Sequence, residues 1–248
     1  MWPIQAENSI ENFFNERNRP MNKSSPGKLI NFPAKGKHAK IKKKKIRNLD
    51  GIKYFSEQQI KLLRRTVRDA AELDLQHRRA TAIKEWAVID LLTSTGLRVS
   101  EAANLKCGDL RIGYSESKIF INEGKCNVSG HVIIPEHLKK HLKQYLSWKT
   151  EQGEGTGEKD FLFIGQRGHW TSQAIQQIVK KYLRALNLYE KGKSVHSLRH
   201  SYATALYAKA KDLRAVQKQL RHVSIASTLV YAYVTDKDIG EQIKGLWN

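Results

Sequence analysis

The chain has 248 residues, 40% of them hydrophobic, and it carries a formal net charge of +20 at pH 7. This length and apolar content predict one soluble globular domain or two small ones, and the charge favours a polyanionic partner, above all nucleic acid. No apolar stretch approaches the roughly 20 residues of a membrane-spanning helix, no signal-peptide pattern is present, and Cys107 and Cys126 form no CxxC pair. We therefore expect a cytoplasmic protein with reduced thiols, and neither a membrane protein, a disulfide scaffold nor a structural zinc site.

The first 53 residues are predicted to form a basic, disordered arm. Residues 1–50 hold 12 Lys and Arg against 4 Asp and Glu, and residues 51–248 hold 32 against 20, so both parts are basic. The run from Lys35 to Arg47 has eight basic residues and no acidic one. Its charges repel one another and it has few apolar side chains to bury, which predicts disorder without DNA. Solvated tails and localisation signals have the same pattern, but the basic body favours a DNA-binding arm. Its candidate contacts are Lys35, Lys37, Lys40, Lys42, Lys43, Lys44, Lys45 and Arg47.

Ordered structure is predicted to begin near Tyr54. Ser56 and Gln59 have the spacing of a capping box, and apolar residues follow at helical intervals. A second helix is predicted from about residue 79 to residue 95. It ends at Gly96, which is suited to a left-handed C-terminal cap.

Arg98 is predicted to lie at a rigid turn between two helix ends. Ser100 and Glu101 begin the next helix, which continues through Leu105. Glu101 has two interpretations, a carboxylate favoured by the helix dipole or a support for a phosphate site, and the first is preferred.

A β-hairpin or small sheet follows these helices. SKIFINEG and KCNVSGHVIIP are apolar, β-branched runs around a glycine-containing turn, and Lys125 lies near that turn. The remaining predicted elements are a helix from Pro135 to about Thr150, a strand at 161–164, a helix from Thr171 to about Leu186, and short helices at 197–210, 213–221 and 224–233. The predicted fold class is mainly α with a small β-sheet (α+β).

Two arginines without an acidic cluster are suited to binding a phosphodiester without a metal ion. A guanidinium donates two hydrogen bonds to nonbridging oxygens and keeps its proton at working pH, so Arg98 and Arg199 together are predicted to clamp one phosphate. His196 lies three residues before Arg199, on the same face of a helix. His222 provides a further hydrogen-bond donor.

Strand cleavage also needs a nucleophile and a general acid. A tyrosine phenol, with a pKa near 10, is a weak nucleophile until it loses its proton, and Tyr231 is the candidate, with His196 as a candidate assisting base. Lys125 on the hairpin tip is the candidate general acid for the 5′ oxygen, and nearby Lys118 is the alternative.

Each of these residues also has a structural interpretation. Helical spacing by itself favours core positions for Tyr202, Tyr207, Tyr231 and Tyr233. Tyr233 is the alternative nucleophile. His196 and His200 are four residues apart and mimic a zinc pair, but the sequence offers no HExxH glutamate or third ligand. We therefore expect no metal cofactor, and we expect His200 to donate or accept a hydrogen bond beneath the site.

Three segments resemble the characteristic boxes of the tyrosine recombinase, or phage integrase, family. TGLRVSEAANL is similar to the first arginine box, HSLRHSYATAL to the histidine and arginine box, and LRHVSIASTLVYAYV to the last box with its histidine and tyrosine. The resemblance implies a recombinase catalytic domain over residues 54–248 and Tyr231 as nucleophile. The phosphate site that it implies consists of Arg98, Lys125, His196, Arg199 and His222.

The activity implied by the resemblance is site-specific recombination of double-stranded DNA. Tyr231 would attack in line and leave a 3′-phosphotyrosine and a free 5′ hydroxyl, and rejoining would need neither ATP nor metal. Further implications are a tetramer on DNA formed from free monomers or dimers, exchange through a Holliday junction, and a Trp247-bearing tail docked on a neighbouring protomer. An accessory DNA-bending protein and a partner recombinase are further candidate partners. A DNA-binding regulator with the same fold and a type IB topoisomerase-like relaxing enzyme are the alternatives.

Two features depart from the family pattern. Arg221 stands where family members usually have glycine. Residues 1–53 are too few and too polar to form the separate helical domain with which these recombinases usually clasp the other face of DNA.

Overall fold

The computed structural model describes residues 53–122, 129–232 and Lys244. The helices are α1 (Glu57–Gln76), α2 (Thr81–Thr95), α3 (Val99–Ala103), α4 (Glu136–Glu151), α5 (Ser172–Ala185), α6 (Val195–Ala210) and α7 (Leu213–Leu220). The strands are β1 (Leu110–Arg111), β2 (Lys118–Ile121), β3 (Gly130–Ile133), β4 (Ile164–Gly165) and β5 (Gly168–His169). The predicted fold class, mainly α with a small sheet, is confirmed. No helix in this part of the chain is both long and apolar enough to cross a membrane.

Helix α1 begins at the predicted capping box. Ser56 Oγ accepts the Gln59 N–H at 3.2 Å, and Gln59 Oε1 accepts the Ser56 N–H at 3.0 Å. The exchange satisfies two N–H groups that the first turn of a helix leaves unpaired. Leu63, Val67 and Ala71 then form a buried stripe at helical intervals, and α1 packs with that stripe along α2.

Helix α2 is the central element of the core. It packs against α1, α4 and α6, and 13 of its 15 residues are buried, as expected of a helix surrounded by other elements. Its buried Asp90 is paired, because Arg64 Nη2 lies 2.6 Å from Oδ1 and His141 Nδ1 lies 2.7 Å from Oδ2. Burial of a carboxylate is tolerated only with such partners. The C-terminal end of α2 is therefore a rigid platform for the turn that carries Arg98.

Gly96 ends α2 in the predicted left-handed conformation. Its φ is 65° and its N–H donates to Leu92 O at 3.1 Å. The glycine also permits close packing, because a Cβ at this position would lie 2.6 Å from Tyr202 Cδ1 and 3.0 Å from Leu220 Cδ2. This contact brings α6 and the end of α7 against the turn after α2.

The small sheet has the antiparallel order β1-β2-β3. Strands β2 and β3 form the predicted hairpin, with Ile119 opposite Val132 and Ile121 opposite Gly130. Ile119, Ile121 and Val132 are buried and attach the sheet to the helical core. The hairpin turn, which includes Lys125, lies outside the described residues.

Three predicted elements differ from the structure, the first being the helix expected to continue through Leu105, which ends at Ala103. Only Ile164 of the expected strand at 161–164 enters a strand, and it pairs with His169 in the short β4–β5 hairpin. The α-helix predicted at 224–233 is wrong over its described part, which contains two 3₁₀ turns, Ile225–Ser227 and Leu229–Tyr231. Hydroxyl side chains compete with the helical pattern there. Ser224 Oγ accepts the Ala226 N–H, and the Thr228 hydroxyl is engaged by His222.

The close packing at Gly96 predicts a large effect of a single methyl group. Gly96→Ala should lower the free energy of unfolding by about 2–4 kcal/mol, the sum of left-handed strain and overpacking, in chemical denaturation. Gly153→Ala is the matched control, because its φ is 71° and nothing lies within 4 Å of an added Cβ. The control should cost about 1 kcal/mol. Equal losses in the two variants would contradict the packing argument.

Candidate active site

The turn after α2, helix α6 and the segment after α7 bring four of the predicted site residues together. Arg98 is the N-cap residue of α3, Arg199 lies on α6, His222 follows α7, and Tyr231 ends the last 3₁₀ turn. The groups are close enough for their charges to influence one another. The positive charge of Arg98, for example, acts on the pKa of both Arg199 and His222.

The Arg199 guanidinium is buried and joins two helix ends. Its Nη1 donates to Gly96 O at 2.5 Å, and its Nη2 donates to Leu220 O at 2.7 Å. Burial, together with the charge of Arg98, lowers the pKa of Arg199 to about 10, so the side chain is still charged at neutral pH. A guanidinium has five N–H donors, so hydrogens remain for a phosphate after these two bonds are made.

Arg98 is held by Glu101 through both its backbone and its side chain. The Arg98 N–H donates to Glu101 Oε2 at 2.8 Å, and Arg98 Nη1 donates to Glu101 Oε1 at 2.7 Å. The Arg98 side chain keeps 27% of its surface exposed, whereas that of Glu101 keeps 2%. The carboxylate therefore caps α3 and at the same time orients the more accessible arginine.

Arg221 also contacts Glu101. The sequence analysis identified Arg221 only as a residue that replaces the usual glycine, and it did not predict this pairing. Arg221 Nη2 forms an ion pair with Glu101 Oε1. Burial raises the pKa of Glu101, but the Arg98 N–H and the charges of Arg221 and Arg98 outweigh burial, so the net pKa lies below the ordinary value. The carboxylate is thus ionised at neutral pH and shared between two guanidiniums.

His222 is a neutral imidazole at neutral pH. Burial, and then the charges of Arg199 and Arg98, lower the pKa of His222 to about 4. Its Nδ1 lies 2.9 Å from Thr228 Oγ1, and its backbone carbonyl accepts a hydrogen bond from Gln217 Nε2 at 3.1 Å. Thr228 is fully buried, so this contact fixes the orientation of the ring.

Tyr231 is buried, with 5% of its surface exposed, and its hydroxyl lies 2.6 Å from His200 Nδ1. The ring packs in a small apolar cluster with Ala203, Val216 and Leu220. Burial raises the pKa of the Tyr231 phenol, and the charge of Arg199 opposes this rise only in part. The phenol is therefore protonated at neutral pH, and the imidazole of His200 is the group it contacts.

His200, and not His196, is the histidine at the Tyr231 hydroxyl. His196 is exposed on the first turn of α6, and its ring makes no hydrogen bond to another residue described by the structure. Burial, followed by the charges of Arg199 and His196, lowers the pKa of His200, which keeps its imidazole neutral. The contact of His200 with the nucleophile candidate was not predicted from the sequence, although His200 follows Arg199 directly.

The remaining candidates fall in two groups. Lys118 lies on β2, exposed and opposite Ile133. The others lie outside the described residues: Lys125, Tyr233, Trp247 and all eight basic residues from Lys35 to Arg47.

The depressed pKa of His222 predicts how stability changes with pH. In the unfolded chain the imidazole takes up a proton near its ordinary pKa of 6.5, whereas in the folded protein it does so only near 4. The unfolded state binds more protons between these values, so His222 makes folding less favourable as the pH falls from about 6.5 to about 4. His222→Gln should therefore lose stability less steeply than wild type over this range in denaturation measured at successive pH values. Parallel profiles would contradict the prediction.

Comparison with known proteins gives consistent matches. The profile of the phage integrase family matches residues 53–238. Tyrosine recombinase XerC from Caldanaerobacter subterraneus subsp. tengcongensis is 34% identical over 162 residues, covering 64% of this chain and 44% of that protein. The chain spans about half the length of the curated relatives it matches.

Two solved structures have a similar fold. The crystal structure of XerA recombinase matches with a TM-score of 0.59 and 27% identity, over 79% of this chain and 66% of that one. The structure of XerH site-specific recombinase bound to difH substrate, a pre-cleavage complex, matches with a TM-score of 0.64 and 23% identity, over 82% of this chain and 56% of that one.

Proposed function

Because the chain belongs to the phage integrase family, we propose that it is a tyrosine site-specific recombinase, which cuts and rejoins double-stranded DNA through a 3′-phosphotyrosine. The observation that carries the proposal is the convergence of Arg98, Arg199 and His222 near a tyrosine whose hydroxyl contacts a neutral histidine. The relatives that match are named tyrosine recombinases, and the XerH structure contains its difH substrate.

The arginines act on the charge of the phosphate. Attack on a phosphodiester adds negative charge to the nonbridging oxygens of a five-coordinate transition state, and fixed donors aimed at that charge lower the barrier. Arg98 is partly exposed and approaches the phosphate first, while Arg199 is held in place by two backbone carbonyls. His222 donates a further hydrogen bond as a neutral imidazole.

Tyr231 supplies the nucleophile. Its hydroxyl oxygen forms the new bond to phosphorus, its proton passes to His200, and the bond from phosphorus to the 5′ oxygen breaks. The leaving 5′ oxygen takes its proton from a general acid, for which Lys125 on the β2–β3 hairpin is proposed, and His196 completes the phosphate site. In the reverse step the 5′ hydroxyl of a partner strand displaces the tyrosine, so bond energy is conserved.

Assembly on DNA is proposed to control this chemistry. Tyr231 is buried and lies on a three-residue 3₁₀ turn, so the hydroxyl must be exposed before it can meet a phosphate. We therefore expect an isolated monomer to cut poorly and a tetramer on DNA to be the active form. The Trp247-bearing tail is the proposed contact between protomers, and an accessory DNA-bending protein or partner recombinase is a further proposed component.

The basic arm is proposed to hold the DNA from outside the catalytic domain. The family match begins at residue 53, so residues 1–52 lie outside it. They include the eight basic residues between Lys35 and Arg47, which suit the phosphate backbone. Such contacts add affinity for DNA but do not distinguish one base sequence from another. We propose that the protein is associated with DNA in the cytoplasm.

Replacement of the nucleophile should abolish covalent chemistry. We expect wild type, incubated in EDTA with a nicked suicide duplex carrying the DNA that flanks the gene, to form an SDS-resistant adduct. Tyr231→Phe should form none, because it lacks the attacking oxygen, while Tyr233→Phe and Tyr207→Phe should form adducts at the wild-type level.

An adduct lost only in Tyr233→Phe would transfer the nucleophile assignment to Tyr233. Binding without any wild-type adduct would favour a regulator, and relaxed plasmid without exchanged products would favour a topoisomerase.

Removal of the arm should weaken binding in a salt-dependent way. Deletion of residues 1–47 should reduce affinity for duplex DNA and flatten the dependence of log K on log salt by about 0.9 for each phosphate that the arm neutralises. Deletion of residues 1–30, which keeps the run from Lys35 to Arg47, is the matched control and should change both much less. If the protein without residues 1–47 and the full chain have the same slope of log K against log salt, the arm does not take part in DNA binding.

A further inference from the structure

Arg221 occupies a backbone conformation that favours glycine. Its φ is 52° and its ψ is 49°, in the left-handed region, at the C-terminal cap of α7. Glycine adopts this conformation without steric cost, and other residues rarely do. Arg221 therefore has a strained backbone conformation that glycine would relieve.

The Arg221 side chain is directed into the candidate active site. It keeps only 7% of its surface exposed, and its Nη2 forms an ion pair with the same Glu101 oxygen that accepts the hydrogen bond from Arg98 Nη1. Gly130, at the start of β3, makes space for it, because a Cβ there would lie 3.0 Å from Arg221 Cδ. The side chain thus passes over the base of the hairpin and reaches the carboxylate that orients Arg98.

The Arg221 guanidinium has unused hydrogen-bonding capacity. Within the described ranges, the buried Nη1 has no hydrogen-bond partner, and the buried Nη2 contacts Glu101 Oε1 in the ion pair. Most buried donors are hydrogen-bonded, so Nη1 is available for a hydrogen bond to a further group.

The charges around Glu101 do not balance. Arg98, Arg199 and Arg221 bring three positive charges, and Glu101 brings one negative charge, so this arginine cluster has an excess of two. A buried excess of charge is unfavourable without a counter-ion. A phosphodiester carries one negative charge and gains a second when a tyrosinate attacks it. The two negative charges of the transition state therefore equal the excess of two positive charges in the arginine cluster. Without Arg221, Glu101 would neutralise Arg98, and only the charge of Arg199 would remain.

We propose that Arg221 is a positioning residue of the phosphate site, which shares Glu101 with Arg98 and so leaves the Arg98 guanidinium available to the scissile phosphodiester. The inference rests on the proposed function for the identity of its substrate. The binding of a tetrahedral anion by the arginine cluster does not depend on that function and is measured separately.

The first experiment measures single-turnover adduct formation on the suicide duplex. Arg221→Gly removes the charge and relieves the backbone strain, so the variant should fold. It should form adduct at least tenfold more slowly at saturating protein, while its DNA affinity changes less than threefold, because most DNA contacts lie elsewhere. Arg221→Lys should recover much of the rate. Arg214→Gln removes one charge from an exposed position on the same helix and should keep the wild-type rate.

The second experiment measures the thermal midpoint of the same proteins against inorganic phosphate, without DNA. Wild type and Arg214→Gln should be stabilised saturably, and Arg221→Gly should need at least threefold more phosphate for the same shift. Equal phosphate dependence in wild type and Arg221→Gly, or equal adduct rates, would overturn the inference. If wild type forms no adduct, the recombinase proposal fails, and the phosphate titration still decides the question for Arg221.

Discussion

The site geometry depends on the buried guanidinium of Arg199. Its two terminal nitrogens bind Gly96 O at the end of α2 and Leu220 O at the end of α7. The last carbonyls of a helix lack partners within the helix and carry partial negative charge, so a buried cation between two such ends satisfies both. The same contact fixes the turn that carries Arg98 and the segment that carries His222. The group proposed to bind the phosphate therefore also assembles the site that surrounds it.

The site combines charged guanidiniums with neutral imidazoles. Burial and the charges of Arg199 and Arg98 lower the pKa of His222 to about 4. Burial and the charge of Arg199 also lower the pKa of His200, so both imidazoles are neutral at neutral pH. Arginine keeps its proton under the same conditions, because its pKa begins far higher. The positive charge thus comes from guanidiniums, while neutral imidazoles are free to accept or donate a proton. Glu101 limits the repulsion among the arginines, since its ionised carboxylate contacts both Arg98 and Arg221.

The Tyr231 segment combines tight burial of a side chain with a weakly organised backbone. The ring packs among Ala203, Val216 and Leu220, but the chain that carries it forms only two three-residue 3₁₀ turns. Such short turns have poorer hydrogen-bond geometry than an α-helix and rearrange more readily. The candidate nucleophile is therefore covered by side-chain packing while the backbone that carries it has few hydrogen bonds to hold it in place.

Local signals in the sequence determined the starts of α1 and α5, the cap at Gly96 and the segments that hold the arginines and the tyrosine. Ser56, Thr171 and Gly96 act within a few residues of themselves, so their effects can be read from neighbouring positions. Only the tertiary structure decided that Arg221 shares Glu101, that His200 meets Tyr231, and that residues 224–231 form 3₁₀ turns. These features depend on which distant segments pack together and on how strongly burial removes water from their charges, and the spacing of residues along the chain specifies neither.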